Sequence, residues 1–343
     1  MNNLIIAGIS GGVDSTVAAF LMKKAGYKVL GVTLVINDNW YRVNNEAVIK
    51  TVAELKIDHI FVDISMIFSS KIESIYLNGI NQGITPSPCL ICNNIIKYQT
   101  LYDIMLREKA EFITTGHYIN IGDYNKRKLI AKAYDNKKDQ SYMLYRLPEN
   151  FITKLEMPLG ILNKTSVRKI AFDNGLSAFR REDSQGLCFM QSDYRSFILE
   201  NSGESIKSGY FIDKNGKTIG NHNGHQFYTV GQRRGLELND NKVYFVTAKN
   251  PENNTVTLGD YEDLMRSTAT LINPAGHLDL IDENIEYTLK PRFSSSGIKG
   301  KVRIAGDKLL IYSTSKTPQF CPGQHLVVYD NDFVICGGEI APF

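Results

Sequence analysis

Leu4-Ile5-Ile6-Ala7-Gly8-Ile9-Ser10-Gly11-Gly12-Val13-Asp14-Ser15 is the stretch from which we interpret the rest of this 343-residue chain. Its apolar first half predicts a buried strand. The residues from Asp14 to Met22 predict a helix with one apolar face. The small residues between them predict a tight turn, in which Gly11 and Gly12 let the backbone approach a ligand closely. Free N–H groups and the positive end of the helix dipole favour an anion there, so the stretch predicts a phosphate site.

The turn differs from the phosphate loop of kinases and GTPases, because that loop requires a lysine and this turn has none. It also lacks the G-x-G-x-x-G spacing of dinucleotide sites. The pattern S-G-G-x-D-S resembles the PP-loop of the ATP pyrophosphatases, which attack the α-phosphate of ATP and release pyrophosphate. The resemblance implies ATP and Mg²⁺ as cofactors, with Asp14 helping to place the metal ion. An ordinary strand–helix turn is the alternative. The expected ATP-binding residues lie in the loop and at two further strand ends: Gly8, Ile9, Ser10, Gly11, Gly12, Val13, Asp14, Ser15, Leu34 and Gly116.

The composition is that of an ordinary globular protein, with 43% hydrophobic and 22% charged residues. The length predicts two or three domains. No apolar run approaches the roughly 20 residues of a membrane helix, and the first residues do not resemble a signal peptide, so we expect a cytoplasmic protein without a membrane partner.

Charge is distributed unevenly along the chain, although the net charge is only +3. Residues 120–181 contain thirteen Lys or Arg and six acidic residues. Such a local excess suits a phosphate backbone and favours RNA as a partner. A solvated basic surface is the alternative.

Alternating strand and helix patterns in the first part of the chain predict an α/β fold with a doubly wound parallel sheet. We expect helices over 45–55, 66–81 and 94–109, a loop over 84–93, and a mainly helical segment over 136–175. From about residue 194, frequent glycines and short strands predict a different architecture that ends in a small β-barrel. The expected domains are a catalytic ATP-binding domain over 1–193, a small central domain over 194–263 and a C-terminal β-barrel over 264–343.

Three of the five cysteines lie in sequence contexts that suggest chemistry. Cys89 and Cys92 form a C-x-x-C pair beside two prolines, which fits a redox pair, half of a metal site or two incidental small residues. Cys188 lies in a second glycine-containing segment and is the natural third member. Cys321 and Cys336 lie in strand-rich sequence, and we interpret them as packing residues.

Taken as a whole, the chain resembles the bacterial tRNA-specific 2-thiouridylases, PP-loop enzymes that replace O2 of the wobble uridine by sulfur. Other PP-loop enzymes share the first of the matching motifs and lack the rest. The matches are Gly8–Ser15, Thr85–Pro88 with Cys92-Asn93, Thr115–Tyr118, Asn136–Tyr142, Asp183–Phe189, Tyr228–Leu236 and Pro322–Gln324.

The resemblance implies a tRNA 2-thiouridine synthase, an ATP-dependent sulfurtransferase. ATP adenylates the C2 oxygen of uridine 34, and a sulfur nucleophile then displaces AMP. The cysteine matching Cys188 carries a persulfide, and the one matching Cys92 is its nucleophilic partner. Arg180 and Arg181 precede Cys188 and are candidates for lowering its pKa. The implied partners are the anticodon stem-loop of tRNA and a sulfur donor protein or sulfide. The implied tRNA-binding residues are Ser87, Pro88, His117, Lys138, Asp139, Gln140, Arg292, Phe293 and Gln324.

Cys89 departs from the family pattern, because many members have an acidic residue at this position. The substitution leaves three thiols, Cys89, Cys92 and Cys188, which are all candidate catalytic residues. Three thiolates can also hold a [4Fe–4S] cluster and leave one iron open for sulfide. A persulfide–disulfide cycle and structural zinc are the alternatives to the cluster.

Two further functions compete with tRNA thiolation. One is that of another PP-loop ATP pyrophosphatase, acting at a different tRNA position or as a small-molecule ligase or amidating enzyme. Such an enzyme has no need of the three cysteines. The other is an inactive RNA-binding relative, which has no reason to keep an intact phosphate loop.

Overall fold

The computed structural model describes residues 3–182, 186–190, 193–202, 206–238 and 242–343. The chain forms two compact units. The first consists of Met1–Ile72, Cys89–Phe189 and Asp332–Val334. The second consists of Glu73–Pro88, Met190–Asn331 and Ile335–Phe343.

A four-stranded parallel sheet forms the centre of the first unit, with the strand order β3-β2-β1-β4. Gly8 of β1 lies opposite Val32 of β2, and Ala7 lies opposite Thr114 of β4. Because the strands are parallel, their carboxyl ends meet at one edge of the sheet, where the glycine turn begins. The strands are β1 (Leu4–Gly8), β2 (Lys28–Val35), β3 (Asp58–Asp63) and β4 (Phe112–Thr114).

Helices α1 (Val13–Lys24) and α2 (Asp38–Leu55) follow β1 and β2. Val17 of α1 and Val48 of α2 are fully buried and belong to one apolar cluster with Ile5 of β1. Burying each such side chain stabilises the fold by about 1.5–3 kcal/mol, so this cluster fixes the first turn of α1 against the sheet.

Helix α2 begins seven residues earlier than the expected start at Asn45. The Asn37 side chain accepts a hydrogen bond from the backbone N–H of Trp40 at 2.7 Å and caps the helix. The polar residues after Asn37 indicate a loop by composition, whereas this cap stabilises the extra turns at the start of the helix.

The segment 84–93, predicted as a loop, is partly helical. Its prolines do not prevent this, because Pro88 is the first residue of α5 (Pro88–Ile91), where a helix needs no N–H donor. A π-helical turn, Cys92–Lys97, then leads into α6 (Tyr98–Arg107). The expected helix over 66–81 is present as α3 (Ser65–Phe68), a π-helical turn (Ser69–Glu73) and α4 (Ser74–Asn81).

The prediction of mainly helical structure over 136–175 is wrong in extent. The segment contains two 3₁₀ turns (Ser141–Leu144 and Pro158–Ile161), the single-turn α7 (Glu149–Ile152) and one longer helix, α8 (Lys164–Asp173). Pro148 and Pro158 interrupt the helical pattern, since proline lacks an N–H donor. The hairpin of β5 (Asn120–Tyr124) and β6 (Arg127–Ala131) was not predicted from the sequence. Its turn has positive φ angles at Asn125 and Lys126.

The second unit contains a four-stranded sheet and a closed barrel. The sheet has the order β8-β7-β10-β9, built from β7 (Gly209–Ile212), β8 (Thr218–His222), β9 (Phe245–Asn250) and β10 (Thr255–Gly259), and α9 (Tyr194–Ser202) precedes it in the chain. The barrel has six strands in the order β11-β14-β13-β12-β15-β16, and β11 pairs with β16 to close it. Its strands are β11 (Arg266–Gly276), β12 (Tyr287–Lys290), β13 (Ile298–Ala305), β14 (Lys308–Thr317), β15 (His325–Asp330) and β16 (Phe333–Ile340). The expected C-terminal β-barrel is therefore confirmed.

Within the described residues, no helix combines the length and the apolar character needed to cross a membrane.

Candidate active site

The glycine turn between β1 and α1 is closed by two serines. The Ser10 N–H donates to Ser15 Oγ at 3.1 Å, and Ser15 Oγ donates to the carbonyl oxygen of Gly12 at 3.1 Å. Gly12 caps α1 without a side-chain hydrogen bond, so no side chain competes for the first N–H groups of the helix. The turn therefore has the donors and the dipole that a phosphate group requires.

Asp14 stands at the first turn of α1 and has two side-chain partners. Lys164 Nζ lies 2.8 and 2.7 Å from the two carboxylate oxygens, and the hydroxyl of Tyr118 donates to Oδ1 at 2.7 Å. Neither partner was predicted from the sequence, because Lys164 is 150 residues and Tyr118 is 104 residues from Asp14 in the chain. Only the packing of α8 beside α1 brings this cation to the loop.

Gly116 follows β4 and contacts the start of α1. A Cβ atom at Gly116 would lie 2.6 Å from the Ser15 nitrogen and 3.0 Å from Asp14 Cβ. Only glycine permits this approach, so the expected strand-end position beside the phosphate loop is present. Leu34 is half-buried near the end of β2, at the same edge of the sheet.

Two of the expected ATP-binding residues have buried apolar side chains. Ile9 and Val13 are each 3% exposed and pack in the core of the first unit. Their side chains are therefore committed to packing, and only their backbone groups are available to a nucleotide.

His117 is buried beside the phosphate loop. Its Nδ1 lies 2.8 Å from Thr115 Oγ1 and 3.1 Å from the hydroxyl of Tyr98. Burial, assisted by the charge of Lys97, holds the pKa of His117 well below its ordinary value. The imidazole is neutral at pH 7, so it offers a hydrogen bond rather than a positive charge, and its expected contact with tRNA stays a prediction.

The structure places Cys89, Cys92 and Cys188 in the first unit, close enough for the charge of one thiolate to shift the pKa of another. Burial raises the pKa of all three thiols, and that of Cys188 is raised to about 12 by burial and then by the charges of Cys92 and Cys89. Cys188 is nevertheless exposed as a residue, so a substrate can reach it. All five cysteines are free of disulfide bonds, and Cys321 and Cys336 are buried, as expected for packing residues.

Lys97 is the cation that acts on the three thiols. Its positive charge lowers the pKa of Cys89, of Cys92 and of Cys188, in each case less than burial raises it. The expectation that Arg180 and Arg181 lower the pKa of Cys188 is wrong, since neither is among the groups that shift it. The π-helical turn Cys92–Lys97 has a wider helical repeat than an α-helix, and such turns are frequent at functional sites.

These pKa directions predict how Cys188 reacts with iodoacetamide. Since the thiolate is the nucleophile and the pKa of Cys188 is about 12, the alkylation rate rises about tenfold per pH unit between pH 7 and 9, without a plateau. The Lys97→Met variant reacts more slowly at every pH, because the pKa rises further. Peptide mass spectrometry follows the reaction, and Lys169→Met is the control because Lys169 forms an exposed ion pair with Asp173. A plateau near pH 8 in the wild type would contradict this assignment.

The expected tRNA-binding motif of Lys138, Asp139 and Gln140 is largely engaged within the first unit. The Asp139 carboxylate is buried and accepts hydrogen bonds from the N–H groups of Ala133 and Ser141. Gln140 Oε1 accepts from the Tyr118 N–H at 2.9 Å. These contacts hold the segment that carries Tyr118, so the motif supports the Asp14 site, and a tRNA contact by its residues stays a prediction.

The remaining tRNA candidates lie in the second unit. Arg292 and Phe293 are exposed after β12, and a contact of either residue with tRNA stays a prediction. Gln324 donates through Nε2 to the carbonyl oxygen of Thr85 at 2.8 Å, so its amide supports the segment that precedes Ser87 and Pro88. Ser87 is half-buried and Pro88 is buried.

The basic segment 120–181 offers less free charge than its composition suggests. Lys164 pairs with Asp14, and Lys132 pairs with Asp332. Arg168 donates to the carbonyl oxygens of Phe179 and Arg181 at 2.8 and 3.0 Å. Some of these basic side chains are therefore engaged in contacts within the protein, and Lys164 is engaged at the phosphate loop itself.

The three cysteines are also candidate ligands of a metal cluster. Within the described ranges, no group of three or more His, Cys, Asp or Glu is arranged to hold a metal ion. Thiolates are suitable ligands for iron or zinc by chemistry, so a [4Fe–4S] cluster on Cys89, Cys92 and Cys188 stays a prediction. Asp183-Ser184 of the motif around Cys188 lies outside the described residues.

A parallel sheet whose first strand leads through a lysine-free glycine turn into a helix is the arrangement expected of a PP-loop nucleotide-binding domain. Residues 3–192 match the family model described as tRNA methyl transferase HUP domain. Residues 195–260 match the tRNA methyl transferase PRC-barrel domain, and residues 266–340 match the aminomethyltransferase beta-barrel domain.

Relatives that match over nearly the full length of the chain define the family more narrowly than the domain matches do. The chain is 38% identical over 340 residues to tRNA-specific 2-thiouridylase MnmA 2 of Fusobacterium nucleatum, covering 98% of this chain and 99% of that protein. It is 36% identical to tRNA-specific 2-thiouridylase MnmA 1 of Caldanaerobacter subterraneus and 33% identical to tRNA-specific 2-thiouridylase MnmA of Clostridioides difficile, in each case over 99% of this chain and 98% of the relative. The chain belongs to the tRNA-specific 2-thiouridylase family.

Proposed function

We propose that this protein is an ATP-dependent tRNA-uridine sulfurtransferase that makes 2-thiouridine at wobble position 34 of tRNA. The observation that carries the proposal is the presence, in one compact unit, of a lysine-free phosphate turn and three free thiols that interact electrostatically. A small-molecule ligase or amidating enzyme with the same phosphate turn has no use for the thiols.

ATP activates the uridine in the first step. The C2 oxygen of uridine attacks the α-phosphorus of ATP, and the bond from that phosphorus to pyrophosphate breaks. The Gly11–Gly12 turn and the start of α1 bind the phosphates, and Asp14 is an oxygen ligand of the type that Mg²⁺ prefers. Lys164 can exchange the Asp14 carboxylate for phosphate oxygens, which leaves Asp14 free for the metal ion. Bound at Asp14, Mg²⁺ would neutralise phosphate charge and so favour departure of pyrophosphate.

Sulfur transfer follows at the thiols. A persulfide on Cys188, loaded by a sulfur donor protein or from sulfide with an oxidant, attacks C2 through its outer sulfur, and AMP leaves. The thiolate of Cys92 then attacks the Cys188 sulfur, which forms a Cys92–Cys188 disulfide and releases 2-thiouridine. A thiol reductant supplies two electrons to restore both thiols. This cycle requires free cysteines, and a reducing compartment such as the cytoplasm suits it.

Cys89 is the third candidate catalytic residue, and its role depends on the sulfur carrier. In a persulfide cycle it contacts the substrate base, in place of the acidic residue of many relatives. In a [4Fe–4S] mechanism it is a cluster ligand, which requires the thiols to rearrange from the positions described above. We favour the persulfide cycle, because the described thiols are not arranged as metal ligands.

The substrate is a folded tRNA, recognised through its anticodon stem-loop. Arg292 and Phe293 offer a cation and an exposed ring, and the Ser87–Pro88 segment immediately precedes the cysteines in the chain. A base that is to be thiolated must leave its stack to reach the reacting groups.

We divide the chain into the catalytic domain 1–193, the central domain 194–263 and the barrel 264–343, and the three separate family matches support this division.

Product analysis tests this function. Purified protein with anticodon stem-loop RNA, ATP, Mg²⁺ and a persulfide donor converts ATP to AMP and pyrophosphate, with one 2-thiouridine formed per AMP in the presence of reductant. Chromatography of the nucleotides and mass spectrometry of the digested RNA measure both products. ADP as the main nucleotide product, or sulfur at another RNA position, would exclude the proposed reaction.

A further inference from the structure

The Arg181 side chain lies against the glycine turn. A Cβ atom built on Gly11 would lie 2.9 Å from a terminal nitrogen of the Arg181 guanidinium. Gly11 has a φ of +74°, a conformation that side chains disfavour, and the backbone of α2 at Ala47 and Val48 closes the same position. The guanidinium therefore occupies space beside the turn that only glycine leaves available.

Among the residues that the structure describes, no carboxylate pairs with Arg181. Its guanidinium donates a hydrogen bond to Asn44 Oδ1 at 2.8 Å, and this amide oxygen is neutral. A guanidinium has five N–H donors in a fixed fork, which suits phosphate oxygens. Arg181 is half-buried and lies next to an anion-binding turn. Because its partner is a neutral amide, its guanidinium has donors left for an anion.

The neighbouring cations are engaged differently. Lys164 is neutralised by Asp14, Arg168 donates to backbone carbonyl oxygens, and the exposed Arg180 stacks over the Phe179 ring at 5.3 Å. Arg168 also holds the carbonyl oxygen of Arg181 at 3.0 Å, so the backbone from which the guanidinium projects is fixed. Arg181 is thus a positioned, charged group facing the turn.

We propose that Arg181 contacts the β- and γ-phosphates of ATP and stabilises the departing pyrophosphate. This inference rests on the proposed function, since it assigns a residue to the pyrophosphate side of that reaction. It also removes Arg181 from the cations available to tRNA.

Binding of three probes tests the assignment. In calorimetric titrations with Mg²⁺, the Arg181→Ala variant binds ATP and pyrophosphate about 10- to 100-fold more weakly than the wild type, because a charge-assisted hydrogen bond is lost. Its affinity for AMP, which has no β- or γ-phosphate, is unchanged. Arg181→Lys retains part of the affinity, because it keeps the charge and loses the fork.

Two matched variants separate a phosphate contact from a structural role. Arg180→Ala removes the same charge one residue away and leaves all three affinities within about twofold of the wild type. Asn44→Ala removes the amide partner and has a smaller effect than Arg181→Ala. Unchanged pyrophosphate binding in Arg181→Ala, an equal loss of AMP binding, or an Asn44→Ala variant as defective as Arg181→Ala would overturn the inference. If wild-type protein binds neither ATP nor pyrophosphate, the proposed function itself fails.

Discussion

The Cys188→Ala variant is expected to make no detectable 2-thiouridine, a loss of at least about 10³-fold, while it still releases pyrophosphate from ATP in the presence of tRNA. Activation of the uridine needs only the phosphate site, whereas sulfur delivery needs the thiol. Cys92→Ala has the same phenotype at the level of product, because the second thiol is needed to release the sulfur. A pyrophosphate assay and mass spectrometry of the digested tRNA separate the two half-reactions.

The control for the cysteine variants is Cys336→Ala, which removes a fully buried thiol of the barrel. It lowers stability by about 1 kcal/mol through the small cavity and leaves thiolation unchanged at temperatures below its unfolding transition. Substantial 2-thiouridine formation by Cys188→Ala would refute the assignment of this thiol as the sulfur carrier.

A further variant, Cys89→Asp, distinguishes the two sulfur carriers. It restores the acidic residue of many relatives, so it keeps activity in a persulfide cycle and loses it where Cys89 ligates a cluster. Iron analysis of anaerobically purified wild-type protein gives an independent reading. About four irons per chain together with inactive Cys89→Asp would exclude the persulfide cycle favoured above.

The second large effect is expected at Asp14. The Asp14→Ala variant loses ATP cleavage by about 10³-fold or more, because it lacks the proposed Mg²⁺ ligand at the phosphate loop. It also leaves Lys164, whose side chain is only 14% exposed, without its carboxylate partner. Loss of this largely buried ion pair lowers the free energy of unfolding by about 1–3 kcal/mol. Pyrophosphate release and thermal unfolding measure the two effects.

A double variant separates the two effects of Asp14→Ala. In Asp14→Ala with Lys164→Met, the cation is removed together with its carboxylate, so stability returns towards that of the wild type while ATP cleavage stays lost. Asp173→Ala is the control, because its ion pair with Lys169 is exposed and contributes little. Recovery of ATP cleavage in the double variant would show that Asp14 acts only as the partner of Lys164.

The local sequence predicted those features that depend on neighbouring residues. The strand, turn and helix of residues 4–24 follow from an apolar run, two glycines and an amphipathic pattern, and they are present. The barrel follows from short strands separated by turns. Errors arose where capping or proline position mattered, as at Asn37 and Pro88, because a cap or a first-turn proline permits a helix that composition disfavours.

By itself, the sequence determined the glycine turn, the family motifs and the identity of the three thiols that we propose as catalytic, since each depends on residue types at fixed spacing. Only the tertiary structure decided which cations lie near the glycine turn and near the thiols. Lys164 reaches Asp14 across 150 residues, Arg181 reaches the Gly11 turn, and Lys97 rather than Arg180 or Arg181 acts on Cys188. Electrostatic interactions depend on distance in space and on burial, and the chain position of a charge specifies neither.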